Sequence, residues 1–167
     1  MSESTERIAI CPGSYDPVTN GHLDIIGRAS RTFDRLVVGV VNKPMRKNAT
    51  LFTAEERQAF ILDAVGDLDN VEVRIFSDLL VEFARSVGAR AIIKGLRAIS
   101  DFEYENEMAQ LNHRLDPEIE SVYVFARSDF SFLSSTGVKE MAIFNADISE
   151  LVPAPVAAAL ADRLGRK

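Results

Sequence analysis

The stretch Arg35-Leu36-Val37-Val38-Gly39-Val40-Val41 carries no polar side chain from Leu36 to Val41, so a strand built from it is apolar on both faces. A strand with one face in water alternates apolar with polar residues; one that is apolar throughout is covered on both sides, as central strands of parallel sheets are. Upstream, Arg7–Cys11 (RIAIC) has strand character and is broken by Pro12-Gly13. Downstream, Val71–Phe76, Ala89–Lys94 and Ser121–Ala126 follow suit. Helical periods separate these runs. Between Gly21 and Phe33, the residues Leu23, Ile25, Ile26, Ala29 and Phe33 lie mostly on one helix face. Thr53 with Glu56 three residues later is a capping box, opening a helix that carries Phe60, Ile61, Ala64 and Val65. Leu79–Val87 forms a helix stopped by Gly88, and Asp101 caps another that runs to about Leu115, ahead of Pro117. The last two helices span roughly Ser134–Phe144 and a segment beginning at Pro153, a residue suited to a first helical position.

Alternating strands and helices, without repeats or linkers, predict one α/β domain over residues 1–167, with residues 1–6 as a flexible N-terminal extension. The expected architecture is a Rossmann-like, five-stranded parallel sheet with helices on both faces. Such sheets bind ligands beyond the carboxyl ends of their strands, where the strand order reverses. The segments after Cys11, Val41, Phe76, Lys94 and Ala126 are therefore the ones to inspect.

At 167 residues the chain can bury a core without disulfides, and its lone cysteine, Cys11, excludes an intramolecular disulfide framework. No apolar run approaches the roughly 18–20 residues of a membrane span, and the opening Met-Ser-Glu-Ser-Thr-Glu-Arg lacks the pattern of a secretion signal. A cytoplasmic location and no membrane partner are expected. The net charge of −6 argues against a nucleic-acid partner, whose phosphates need a basic surface. An anionic ligand must instead be held by local donors in a pocket.

Several segments at the predicted edge can do this. Pro12 to His22 (PGSYDPVTNGH) follows a strand and opens a helix, where unpaired N–H groups and the positive end of the helix dipole favour a phosphate. Gly13 permits close approach, Ser14 offers a hydroxyl, and a histidine in the first helical turn can donate to a phosphate oxygen. The plainer reading is a proline–glycine turn with a capping histidine. Lys94-Gly95-Leu96-Arg97 places two cations around a glycine at the same edge, suited to polyphosphate or, more plainly, to a solvated rim. In Asp101–Glu107 the helix dipole alone explains the carboxylates, while Glu105 could bind a sugar or base. Phe130–Lys139 (FSFLSSTGVK) brings hydroxyls to a helix start, for capping or for an anion. Asn42–Lys47 is a basic loop on an acidic protein, solvated or clamping an acceptor. No carboxylate cluster stands out as a metal cage, so no metal-ligating residue is assigned.

With Ser14-Tyr15-Asp16-Pro17 and Thr19-Asn20-Gly21-His22, the first segment resembles the Thr/His-x-Gly-His signature of nucleotidyltransferases. Together with Lys94–Arg97, Asp101–Glu105 and Ser131–Ser135, the chain from about Ile8 onward resembles the bacterial phosphopantetheine adenylyltransferases. The resemblance implies a nucleotidyltransferase-type fold and transfer of adenylyl from ATP to 4′-phosphopantetheine. The products would be dephospho-coenzyme A and pyrophosphate, in the penultimate step of coenzyme A synthesis. It implies direct in-line attack on the α-phosphate, magnesium arriving with ATP, and a homohexamer. Carried over by motif, His22 stabilises the transition state. The ATP site comprises Ser14, Tyr15, His22, Gly95, Leu96, Arg97, Glu105 and the run Phe130, Ser131, Phe132, Leu133, Ser134, Ser135 and Thr136. The acceptor site comprises Ser14, Leu80, Lys94 and either Arg46 or Lys47. Ser14 stands where many members have threonine, Lys94 where arginine is common, and Gly137 should loosen the start of its helix.

Overall fold

The computed structural model describes residues 6–44 and 49–165. The strands are β1 (Ile8–Gly13), β2 (Arg35–Val41), β3 (Val71–Phe76), β4 (Ala91–Leu96) and β5 (Glu120–Phe125). All pair in parallel, in the order β3-β2-β1-β4-β5. The helices are α1 (Asn20–Ser30), α2 (Ala54–Ala64), α3 (Leu80–Ser86), α4 (Ile99–Leu115), α5 (Ser135–Ile143) and α6 (Ala154–Leu164). A short 3-10 turn at Ser128–Phe130 was not expected from the sequence. The sequence Ser-Asp-Phe there is too short to show a period that announces it.

The two faces of β2 separate the core. Leu36, Val38 and Val40 join Ala9, Cys11 and Ile93 under α1, α2, α5 and α6, represented by Ile26, Ile61, Val138 and Leu160. Val37 joins Ile10 and Ile92 under α3, through Val81, Phe83 and Ala84. α4 lies on this second side, where the Tyr123 hydroxyl of β5 donates to the Glu105 carbonyl at 2.9 Å. Gly39 is required by packing: a Cβ would stand 2.7 Å from a ring carbon of Phe83 and 3.0 Å from one of Phe76. Those rings stack at 4.3 Å and 8° across the glycine.

The order reverses between β1 and β4, and the ladder there is short. β1 pairs with β2 from Ile8 to Gly13, but with β4 only at Ala9 and Ile10. Beyond Ile10 the two strands diverge, which opens a crevice at their carboxyl ends.

Some boundaries moved. β1 continues through Pro12 and Gly13 because β2 still flanks it, Pro12 opposite Gly39. β4 is displaced to Ala91–Leu96, paired with β5 throughout, which places Gly95 and Leu96 in the strand as well as Lys94. α4 begins at Ile99 with Ala98 as its N-cap, so Asp101 sits inside the first turn instead of capping it. Pro153 is an N-cap rather than a first helical residue. Gly137 does not loosen α5: its N–H donates to the Ser134 hydroxyl at 3.0 Å and closes the cap.

Candidate active site

The crevice is a cavity of about 850 Å³ that reaches the ends of all five strands. Ser14, Tyr15, His22, Leu80, Lys94, Gly95, Arg97, Glu105, Phe130, Leu133, Ser134, Ser135 and Thr136 all line it. Leu96 does not; its side chain is buried. Ser131 and Phe132 also lie off the cavity wall, Phe132 on the outer surface at 71% exposure. Arg46 and Lys47 lie outside the described residues.

The turn after β1 is fixed tightly. Tyr15 adopts a left-handed backbone, φ 48°, which an aromatic residue takes only when its surroundings compel it. Its ring is buried, its hydroxyl donates to the Cys11 carbonyl at 2.8 Å, and it meets His22 edge-on at 5.1 Å. Tyr15 is therefore a wall of the site through its backbone and ring edge. Asp16, fully buried, accepts from the main-chain N–H of Leu51 and Phe52 at 3.0 and 2.9 Å and from Lys139 Nζ at 3.0 Å. Burial alone would push its carboxyl up, but the two amides and the Lys139 ammonium outweigh that and hold it below its ordinary value.

His22 occupies the third position of α1, and its ring is oriented by the helix start. Nδ1 accepts the Thr19 main-chain N–H at 3.0 Å, while the Thr19 hydroxyl accepts the His22 N–H at 3.4 Å. This is a capping box with histidine in the place usually held by glutamate or glutamine. A neutral imidazole that accepts at Nδ1 carries its proton on Nε2, so the hydrogen bonds assign the tautomer. The capping and catalytic readings of this histidine are thus compatible, one for each ring nitrogen.

The cations are held by α4. Lys94 Nζ stands 3.3 Å from Glu105 Oε2. The Arg97 guanidinium lies 3.2 Å from the Asp101 carboxylate, and Arg97 Nη1 donates to the Leu133 carbonyl at 2.9 Å. The second contact ties the end of β4 to the serine-rich turn. In that turn Ser134 caps α5, and the Ser135 hydroxyl donates to the Pro17 carbonyl at 2.7 Å, which joins it to the first turn. Two of the three hydroxyls therefore build the site as well as line it.

Cys11 lines the cavity floor, where burial raises its thiol pKa. A neutral buried thiol is a poor nucleophile. Among the described residues no group of three or more His, Cys, Asp or Glu could hold a metal ion. None of their helices is long and apolar enough to cross a membrane.

Sequence reasoning missed Tyr104, Met108 and Asn112, which extend the wall formed by Asp101 and Glu105. Their signal was available: positions 101, 104, 105, 108 and 112 recur at helical spacing on one face of α4. It also missed the buried Arg57, whose only sequence mark is a charge at an otherwise core-facing position, four residues before Ile61.

Residues 10–141 match the model of the cytidylyltransferase-like family. The chain is 50% identical over 157 residues to phosphopantetheine adenylyltransferase of Alkaliphilus metalliredigens, covering 94% of this chain and 99% of that one. It is 48% identical over 162 residues to the enzyme of the same name from Staphylococcus carnosus, covering 97% and 99%. A solved structure from Vibrio parahaemolyticus, provisionally identified as a nicotinate-nucleotide adenylyltransferase, superposes with a TM-score of 0.70 over 98% of this chain and 97% of its own. At 18% identity that likeness concerns the fold alone.

Proposed function

We infer the activity from one premise: this chain belongs to the cytidylyltransferase-like family and, within it, to the phosphopantetheine adenylyltransferases. It transfers adenylyl from ATP to 4′-phosphopantetheine, giving dephospho-coenzyme A and pyrophosphate, the penultimate step of coenzyme A synthesis. The observation that supports this best is the convergence of the first turn, the end of β4 and the serine-rich turn on one cavity at the β1–β4 reversal.

In the mechanism proposed, a phosphate oxygen of the acceptor attacks the α-phosphorus of ATP in line. The P–O bond to the β-phosphate breaks, and pyrophosphate leaves with the electron pair. No covalent enzyme intermediate is needed, in keeping with the buried Cys11 thiol, whose pKa burial raises. Catalysis then consists of positioning and of electrostatic stabilisation. His22 Nε2–H donates to the α-phosphate as charge develops, and the Ser14 hydroxyl lies between donor and acceptor phosphates. Gly95 and Arg97 line the triphosphate path with Ser134–Thr136, while Glu105, Phe130 and Leu133 complete the nucleotide site. Lys94 and Leu80, with Arg46 or Lys47, face the phosphopantetheine.

Bound with ATP, magnesium would supply neutralisation of the phosphate charge, held by the phosphates. The pairing of Asp101 and Glu105 with Arg97 and Lys94 supports an ion carried by phosphates and not by a protein cage. A homohexamer in the cytoplasm, without nucleic-acid partners, completes the proposal. Exposed Phe102, Leu111 and Leu115 on α4, and Phe125 at the end of β5, support an assembly, and the net charge of −6 supports the absence of nucleic acid.

The decisive experiment measures pyrophosphate release from ATP with phosphopantetheine, nicotinamide mononucleotide or glycerol phosphate as acceptor. Turnover with phosphopantetheine alone is expected. Preference for another acceptor would overturn the assignment.

A further inference from the structure

Arg57, in the first turns of α2, is fully buried. Among the described residues no carboxylate lies within 4.0 Å of its guanidinium, and its donors go to main-chain oxygens instead. Nε donates to the carbonyls of Phe52 and Thr53 at 3.1 and 3.2 Å. Nη1 donates to those of Ser14 and Val41 at 2.6 and 2.8 Å, and Nη2 to that of Asn42 at 3.1 Å. One side chain thus joins the turn after β1, the carboxyl end of β2 and the N-terminus of α2. A buried cation costs several kcal/mol in desolvation, and hydrophobic residues of similar volume would commonly serve stability as well. Its retention here calls for a role that a hydrophobic side chain cannot fill.

The contact with Ser14 supplies that role. The Ser14–Tyr15 peptide is planar and trans, so its carbonyl and its N–H point in opposite directions. Ser14 and Tyr15 line the cavity, whereas Arg57 lies behind the turn and off the cavity wall. With the carbonyl drawn back onto Arg57, the Tyr15 N–H turns forward to the phosphate side. Were this peptide to flip, a carbonyl oxygen would face the phosphates and repel them. Tyr15 at φ 48° is strained, and a flip that carried φ to negative values would relieve that strain, so the orientation needs an external lock.

We propose that Arg57 is a positioning residue that locks the Ser14–Tyr15 peptide with its carbonyl inward, which makes the turn a phosphate donor. This rests on the adenylyltransferase reading above. Wild-type turnover with phosphopantetheine tests that reading separately, and the variants test only the lock.

Arg57→Lys retains the charge and the stem, but a single ammonium cannot span the carbonyls the fork reaches. At saturating substrates and well below its melting temperature, kcat of this variant is expected to fall about 10–100-fold with a smaller rise in KM for ATP, since the donor meets the bound phosphate and its contact strengthens as charge develops. Gln58→Ala, which removes a 2.9 Å bond to the Val73 carbonyl away from the site, is the stability control and should keep its kcat. Arg57→Ala should lose more turnover and recover part of it in millimolar guanidinium, but none in ammonium. In the wild-type enzyme, the Tyr15 amide resonance should move downfield when an α,β-methylene analogue of ATP binds, a readout independent of how the variants fold. An Arg57→Lys enzyme with wild-type kcat, a loss matched by an equally destabilised Gln58→Ala, or an unmoved Tyr15 amide would each overturn the proposal.

Discussion

Replacing Lys139 with methionine tests how the buried Asp16 holds the first turn to α5. Methionine keeps most of the stem and removes the ammonium, leaving Asp16 with the amides of Leu51 and Phe52. Removing one member of a buried ion pair commonly costs about 3–5 kcal/mol. Here the Lys139 side chain is 21% exposed and Asp16 keeps two donors, so a cost of about 2–3 kcal/mol is expected. With an unfolding entropy of about 2.1 cal/mol/K per residue, a chain of this length should melt about 6–9 °C lower. The loss must also depend on pH. Asp16 titrates lower in the folded protein than when unfolded, so the stability it contributes is complete above the unfolded value and is lost as pH falls through the folded one. In Lys139→Met burial still pushes the carboxyl up while the ammonium no longer opposes it, so the folded value rises and that contribution shrinks. The gap between the two proteins should therefore be full near neutrality and narrow below about pH 4. Calorimetric melting from about pH 7 down to about pH 3 measures this directly. A difference under about 2 °C at neutrality, or one that stays constant with acidification, would refute the electrostatic account.

Three further outcomes follow from the geometry. His22→Ala should lower turnover by about 10²–10³ while ATP still binds, measured by pyrophosphate release and calorimetry; unchanged turnover would remove the imidazole from the mechanism. Arg97→Ala gives up a charged donor fixed by Asp101 and the Leu133 carbonyl, and its ATP affinity should weaken about 10–100-fold; identical calorimetric curves would return Arg97 to the solvated rim. Gly39→Ala drives a methyl into the stacked Phe76 and Phe83 rings and should destabilise by about 1–3 kcal/mol in denaturant melts, with an unchanged midpoint counting against that packing.

The sequence by itself determined the elements and the edge on which the site would form. The apolar run of β2, the Thr53–Glu56 capping box and Gly88 after α3 are local signals, because propensity, hydrogen bonding and left-handed backbone act over a few residues. The motif segments were legible for the same reason, each being a short stretch beside a strand end. Tertiary structure alone decided what joined them. The Ser135–Pro17 and Lys139–Asp16 contacts cross 118 and 123 residues, and the Arg57–Ser14 contact crosses 43. The lining was also hidden: nothing local shows that Leu96 is buried off the cavity while its neighbour Gly95 lines it. Pairing with β5 carries the strand through Leu96, an extent that depends on a partner strand distant in sequence. Arg57 is the extreme case, because its partners are main-chain carbonyls, which every residue has and no sequence pattern can mark.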